Sequence, residues 1–235
     1  ERAPQTKKIA IVGREDVFPK AMATLMAGQA VKYGFQVVHQ SFYPVNSLDH
    51  ASAILAIKAS QPDWIYVTGY TRDLVLFRKQ MNDMRLNAPI VTMITGPAYR
   101  EFVEALGPLA ENVTSATWWH SSIAYKGDDI FGTPKAFADA VRKATNQDAD
   151  YVHASSAAAL ITLQKAIERA GSLDRDRVRK VLTEIQLSTF YGPIKFRDDG
   201  MNSNRNLPII QVQNGQPVVL FPKSVQQADF RLLRN

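Results

Sequence analysis

The chain has 235 residues, of which 46% are hydrophobic and 21% charged, with 12 Gly, 12 Pro and no Cys; this excludes disorder, a collagen-like repeat, a disulfide scaffold, thiol catalysis and thiolate metal sites. Lys and Arg outnumber Asp and Glu by 28 to 22, a net charge of +6, but the basic residues are scattered along the chain, so no nucleic acid partner is expected. The longest apolar run, Ala157 to Leu163, is interrupted by Thr162 and falls far short of the roughly 20 residues a membrane span needs. The polar opening Glu1 to Thr6 does not read as a signal peptide, which leaves a cytoplasmic protein or an exported one already processed.

Lys7 to Val12 is a short apolar run ending at Gly13 and reads as a strand. Met22, Leu25, Met26, Ala30 and Tyr33 follow at helical spacing, closed by Gly34. Phe35 to Phe42 reads as strand, Asp49 to Ser60 as helix, and Trp64 to Thr68 as a third strand. Helix over Asp73 to Met84, strand over Pro89 to Ile94, helix over Tyr99 to Leu106 and strand over Val113 to Thr117 continue the alternation. Strand and helix in strict succession predict an α/β fold, a doubly wound parallel sheet with helices on both faces.

After Trp119 the rhythm changes. Pro134 to Thr145, Val152 to Ala170 and Asp174 to Ile185 read as three consecutive helices with no strand between them. The second carries Ala157, Leu160, Ile161, Leu163, Ala166 and Ile167, a broad apolar face for which the segment supplies no sheet. The end is β-like: Tyr191 to Phe196, a turn at Asp198-Asp199-Gly200, then Leu207 to Gln213 and Pro217 to Phe221 around Asn214-Gly215, a strong hairpin signal.

Most chemistry that such a sheet can host is missing. The loop Gly13-Arg14-Glu15-Asp16-Val17-Phe18-Pro19 has a single glycine, where a dinucleotide site needs several. There is neither a phosphate loop nor a hydrolase nucleophile elbow, so no cofactor is expected. His39, His50, His120 and His153 are too dispersed to suggest a metal site. His120-Ser121-Ser122 places neighbours on opposite sides of an extended segment, a poor nucleophile and base. The basic run Arg175, Arg177, Arg179, Lys180 alternates with acids and reads as a solvated helix face.

Ligands of open parallel sheets bind beyond the carboxyl ends of the strands. The residues there are Phe18 after the first strand, Tyr70 and Thr71 after the third, Thr95 after the fourth, and Trp118 and Trp119 after the fifth. Aromatic rings at a sheet mouth either grip a small apolar or aromatic ligand or cover core ends.

The phrases KKIAIVGREDVF, QPDWIYVTGYTRDLVLFRKQM, NAPIV, EALGPLAENVTSATWW, YVHASSAAALITLQKAIERAGSLD and YGPIKFRDDG occur in this order between Lys7 and Gly200. Together they resemble the branched-chain amino-acid type of periplasmic solute-binding protein, a likeness running from about Lys7 to Phe221. The resemblance implies the receptor of an ABC importer: two α/β lobes joined by three crossovers, closing on a small-molecule ligand and presenting it to a membrane permease. It implies that 7–117 and 207–235 form the second lobe, and that 118–206 is the helical remainder of a first lobe whose sheet is absent, so that the chain is a fragment.

Phe18, and Tyr70 or Thr71, match family positions whose side chains pack on the ligand. Amino-acid binders of the family place an acidic residue after the fourth strand to pair with the ligand's ammonium group. Here Thr95 stands there, with no carboxylate between Thr92 and Arg100. A buried ammonium without a counter-charge is costly, so an aromatic or aliphatic acid is expected over an amino acid, with Phe18, Tyr70, Trp118 and Trp119 as walls. The expected protein is extracytoplasmic and not an enzyme. Branched-chain amino acid binding, or a cytoplasmic ligand-sensing regulator on the same fold, are the competing readings.

Overall fold

The computed structural model describes residues 3, 5–203 and 206–233. The chain divides into two compact units, the first running to Ala116 with Ile209–Leu220 and the segment from Gln227, the second comprising Thr117–Pro208 and Phe221–Gln226.

In the first unit the expected alternation is present as β1 (Lys8–Arg14), α1 (Val17–Lys32), β2 (Gln36–Tyr43), α2 (Ala51–Ser60), β3 (Trp64–Thr68), α3 (Thr71–Asp83), β4 (Ile90–Ile94), α4 (Arg100–Leu106) and β5 (Thr114–Ala116). The chain later returns with a hairpin whose first strand runs antiparallel to β5, closing a seven-stranded sheet. Strands one to five are parallel, in the order β2-β1-β3-β4-β5.

Alternation along the strands decides which helix covers which face. Ile9, Ile11 and Tyr66 pack with Ala23 and Ala30 of α1. Ala10, Val12, Ile65, Val67, Val91 and Met93 point the other way, onto Ile54 and Ile57 of α2, Leu74, Phe77 and Met81 of α3, and Phe102 and Leu106 of α4. The winding therefore reverses between β1 and β3, and a crevice opens at their carboxyl ends. Of the stripe expected in α1, Met22, Met26 and Ala30 pack on the sheet together with Ala23, whereas Leu25 and Tyr33 are 63% and 72% exposed.

In the second unit α5 (Pro134–Thr145), α6 (Tyr151–Ala170) and α7 (Arg175–Glu184) follow one another as expected. The β-like stretch expected at Tyr191 to Phe196 is present as β7 (Gly192–Lys195), which pairs in an antiparallel hairpin with a strand that the sequence reading did not include, β6 (Gln186–Thr189). Leu187 and Ile194 from this hairpin, with Trp119, Phe137 and Phe190, cover Ala154, Ala158 and Ile161 of α6. Leu160 and Leu163 of the same helix stay exposed.

The returning hairpin is β8 (Ile209–Gln213) and β9 (Gln216–Phe221), joined through Asn214 and Gly215, both at positive φ as a two-residue hairpin turn requires. β8 carries two buried glutamines. Gln211 Nε2 donates to the carbonyls of Asn112 (2.9 Å) and Arg231 (2.7 Å), and Gln213 Nε2 to that of Asp229 (2.7 Å). The C-terminal segment is thus held to the sheet by side-chain amides, with Leu233 N–H donating to Pro89 O.

His50 precedes α2 and is 1% exposed, its ring 4.7 Å from that of Tyr43 and 4.9 Å from that of Phe77. Neither ring nitrogen has a hydrogen-bond partner among the described residues. Desolvation lowers its pKa below the ordinary 6.5, with Asp73 and Asp49 opposing the shift. The folded state then binds fewer protons than the unfolded one, so stability is full above that value and is lost as pH falls below it. His50→Phe keeps the aromatic contacts and removes the proton site. The loss of Tm between about pH 7.5 and pH 5 is expected to be smaller in this variant than in the parent; an unchanged loss would show that His50 does not contribute.

Candidate functional site

The reversal of winding puts the β1–α1 and β3–α3 loops side by side, since Gly13 pairs with Thr68 in the parallel register. Two glycines let these loops approach. A Cβ on Gly13 would lie 3.1 Å from both Ala23 Cβ and Thr68 Oγ1, and one on Gly69 would lie 2.3 Å from Tyr43 Oη. The glycine of the first loop therefore serves close packing of α1 on the strand end, and Gly69 makes room for a buried tyrosine.

Arg14, the last residue of β1, reaches across the crevice. Its Nη1 donates to Asp73 Oδ2 at 2.8 Å and its Nη2 to Asp16 Oδ2 at 3.1 Å. The side chains of Arg14 and Asp73 are 17% and 10% exposed. The hydrogen bond to Asp73 holds the Arg14 pKa above its ordinary value, ahead of the opposing cost of burial. Both carboxylates also order a helix start: Asp16 Oδ1 accepts from Val17 N–H at 2.8 Å, and Asp73 Oδ2 from Tyr70 N–H at 3.3 Å. Thr68 Oγ1 adds a bond to Pro19 O at 2.7 Å. Arg14 and Asp73 did not figure among the expected site residues; an arginine ending the first strand and an aspartate three residues past Tyr70 were the available signal.

Of the expected site residues, Phe18 sits in the first turn of α1, half-buried against the α1 side of the sheet. Tyr70 is 43% exposed, and the guanidinium carbon of Arg14 lies 4.8 Å from its ring centroid. Thr71 opens α3 and is half-buried. Thr95 is 8% exposed at φ 78°, ψ −33°, an unusual backbone for a β-branched residue. Its N–H donates to Ser115 Oγ at 3.0 Å, and its hydroxyl has no partner among the described residues. Phe18, Tyr70, Thr71 and Thr95 thus share the carboxyl edge of three neighbouring strands.

Trp118 and Trp119 belong to the second unit. Trp118 is half-buried with its ring 5.1 Å from that of Tyr151. Trp119 does not offer a wall. It is 2% exposed, packs edge-on against Phe137 and Phe190, and donates from Nε1 to Phe190 O at 3.2 Å, so it is a core residue. His120 Nδ1 accepts from Ser122 N–H at 3.2 Å and lies 2.8 Å from Ser122 Oγ. Burial pushes its pKa down to about 4, and the contact closes a local turn around a neutral imidazole. Among the described residues no group of three or more His, Asp or Glu could hold a metal ion, and no helix is long and apolar enough to cross a membrane.

An open α/β sheet with aromatic side chains at its switch point is a fold that binds small molecules beyond the ends of its strands. Residues 2–217 match the model of the periplasmic binding protein family, and the chain belongs to that family. It is 22% identical over 240 residues to Leu/Ile/Val-binding protein homolog 8 of Brucella abortus (strain 2308), covering 97% of this chain and 58% of that protein. A putative branched-chain amino acid ABC transporter from Silicibacter pomeroyi superposes with a TM-score of 0.81 at 21% identity, over 99% of this chain and 62% of that one. A solute binding protein of an ABC transporter from R. palustris, in complex with benzoate, superposes with a TM-score of 0.73 at 17% identity, over 92% and 58%. At these identities the structures establish the type I periplasmic binding fold alone. The chain spans about three fifths of the length of these relatives.

The two tryptophans are expected to separate by stability. Trp119→Ala should cost about 3–5 kcal/mol by removing the centre of a core, and Trp118→Ala about 1–2 kcal/mol, as read by denaturant unfolding. Equal costs would contradict the assignment of Trp119 to the core.

Proposed function

We propose that the whole protein is the extracytoplasmic receptor of an ABC importer, and that it binds a small aromatic or aliphatic carboxylic acid in preference to an amino acid. It captures the ligand between two lobes and delivers it to a membrane permease, without chemistry. On this reading the first unit is the second lobe, and the second unit is the helical part of the first lobe. Val152, Leu160 and Leu163 of α6, 51%, 68% and 43% exposed, are apolar surface that the sheet of that first lobe would cover.

The observation that carries the ligand class is Thr95. An ammonium group brought to the end of β4 would meet a hydroxyl and a backbone turn where a counter-charge is needed, and desolvating it there costs several kcal/mol. Phe18 and Tyr70 present ring surface at the same carboxyl edge of the sheet, which suits an apolar or aromatic body. The benzoate complex of the R. palustris protein supports an acid lacking the amine. The Leu/Ile/Val-binding names of the Brucella relatives support the competing amino-acid reading.

Calorimetry on the full-length protein with benzoate and leucine tests the two. Benzoate is expected to bind and leucine not, and Thr95→Glu to weaken benzoate by about tenfold or more while creating leucine affinity. Tight leucine binding by the parent protein, with benzoate ignored, would overturn the acid reading and restore the amino-acid one.

A further inference from the structure

The guanidinium of Arg14 touches three things at once. Asp16 begins the helix that carries Phe18, Asp73 receives the backbone of Tyr70, and the Tyr70 ring lies over the guanidinium at 4.8 Å. These belong to two loops on opposite sides of the switch-point crevice, and the bridge joins residues 59 positions apart.

We propose that Arg14 is a positioning residue that fixes the Phe18 and Tyr70 rings at one spacing and so sets the width of the ligand crevice. The inference rests on the reading above that these two rings line the ligand site. Three features distinguish it from simple stabilisation. Both terminal nitrogens are used, one for each loop, so the planar fork sets a distance as well as supplying charge. The ring contact is a face contact, which fixes the tilt of Tyr70 as well as its place. Tyr70 is otherwise 43% exposed, so little other packing is available to hold the ring. A lysine at position 14 would keep the charge but could not bridge both carboxylates in one plane or stack on the ring.

The test separates position from charge. Arg14→Met leaves Asp73 buried without its partner and can unfold the protein, so it is paired with Arg14→Met/Asp73→Asn, which removes both charges and keeps an acceptor for Tyr70 N–H. Full-length protein with ¹³C-labelled tyrosine and phenylalanine rings reports Tyr70 and Phe18, assigned through Tyr70→Phe and Phe18→Leu. Denaturant unfolding reports stability, and benzoate is the binding probe. The double variant is expected to recover most of the stability lost in the single one, while the Tyr70 and Phe18 resonances remain shifted and broadened and benzoate binding remains about tenfold weaker than in the parent. Parental ring resonances in the double variant would show that Arg14 acts through stability alone and overturn the proposal. If the parent does not bind benzoate, the acid reading fails separately, and the ring resonances of the ligand-free protein decide: displaced rings uphold the positioning role and unmoved rings overturn it.

Discussion

The ion pair between Arg14 and Asp73 joins the two loops that leave the sheet at its switch point, beyond the carboxyl ends of β1 and β3. On either side of the switch point the crossovers pull apart: α1 carries the chain to β2 over one face, and α2 and α3 cover the other. The strands β1 and β3 remain paired by backbone bonds, but the loops beyond their ends have no crossover to tie them. A partly buried charge pair suits that position. Its cost is desolvation, moderated here because Arg14 and Asp73 keep some contact with water, and its return is two well-formed bonds in a medium less polar than bulk water. Once formed it is hard to give up, since stranding one buried partner costs about 3–5 kcal/mol. Asp73 also lies close enough to Tyr43 to help burial raise that hydroxyl's pKa, so the pair is continuous with the aromatic group of Tyr43, His50 and Phe77 below it.

Much of this architecture was legible in the sequence because it rests on periodicity. Strands buried on both faces read as continuous apolar runs, and Lys8–Arg14, Trp64–Thr68 and Ile90–Ile94 were found within a residue or two. What escaped was whatever depends on a partner distant in sequence. Gln186–Thr189 has no apolar run and becomes a strand only because Gly192–Lys195 folds back on it. Gln211 and Gln213 look like surface residues until the C-terminal segment supplies carbonyls for them. Leu25 and Tyr33 match a helical stripe, yet α1 turns its alanines inward because the close approach at Gly13 leaves room for Ala23 and little more.

The candidate site was legible as a place in the fold and less so in its chemistry. The rule that ligands gather beyond the carboxyl ends of parallel strands located Phe18, Tyr70, Thr71 and Thr95 without any side-chain knowledge. The same rule also selected Trp119, because sequence position cannot distinguish a ring that lines a mouth from one that turns back into a core. It passed over Arg14, because an arginine at the end of a strand is ordinarily surface, and only the meeting of Asp16 and Asp73 around it gives it a role.

The charges of this cluster bear on how an acidic ligand would lie. Arg14 is offset by Asp16 and Asp73, and Lys20 is engaged by Glu15 at 3.1 Å, so neither of these two cations is free to receive an anion. A carboxylate placed against Asp16 and Asp73 would be repelled and poorly solvated. On the proposed reading the ligand therefore lays its apolar body on Phe18 and Tyr70 and turns its carboxylate away from this sheet, toward donors supplied by the rest of the protein. These carboxylates would be mildly favourable to an ammonium group, but Asp16 and Asp73 are already committed to Arg14 and to two helix starts. Releasing either would unlock the loops whose spacing holds the rings, so an amine gains counter-charge there only by loosening the surface that binds the rest of the ligand.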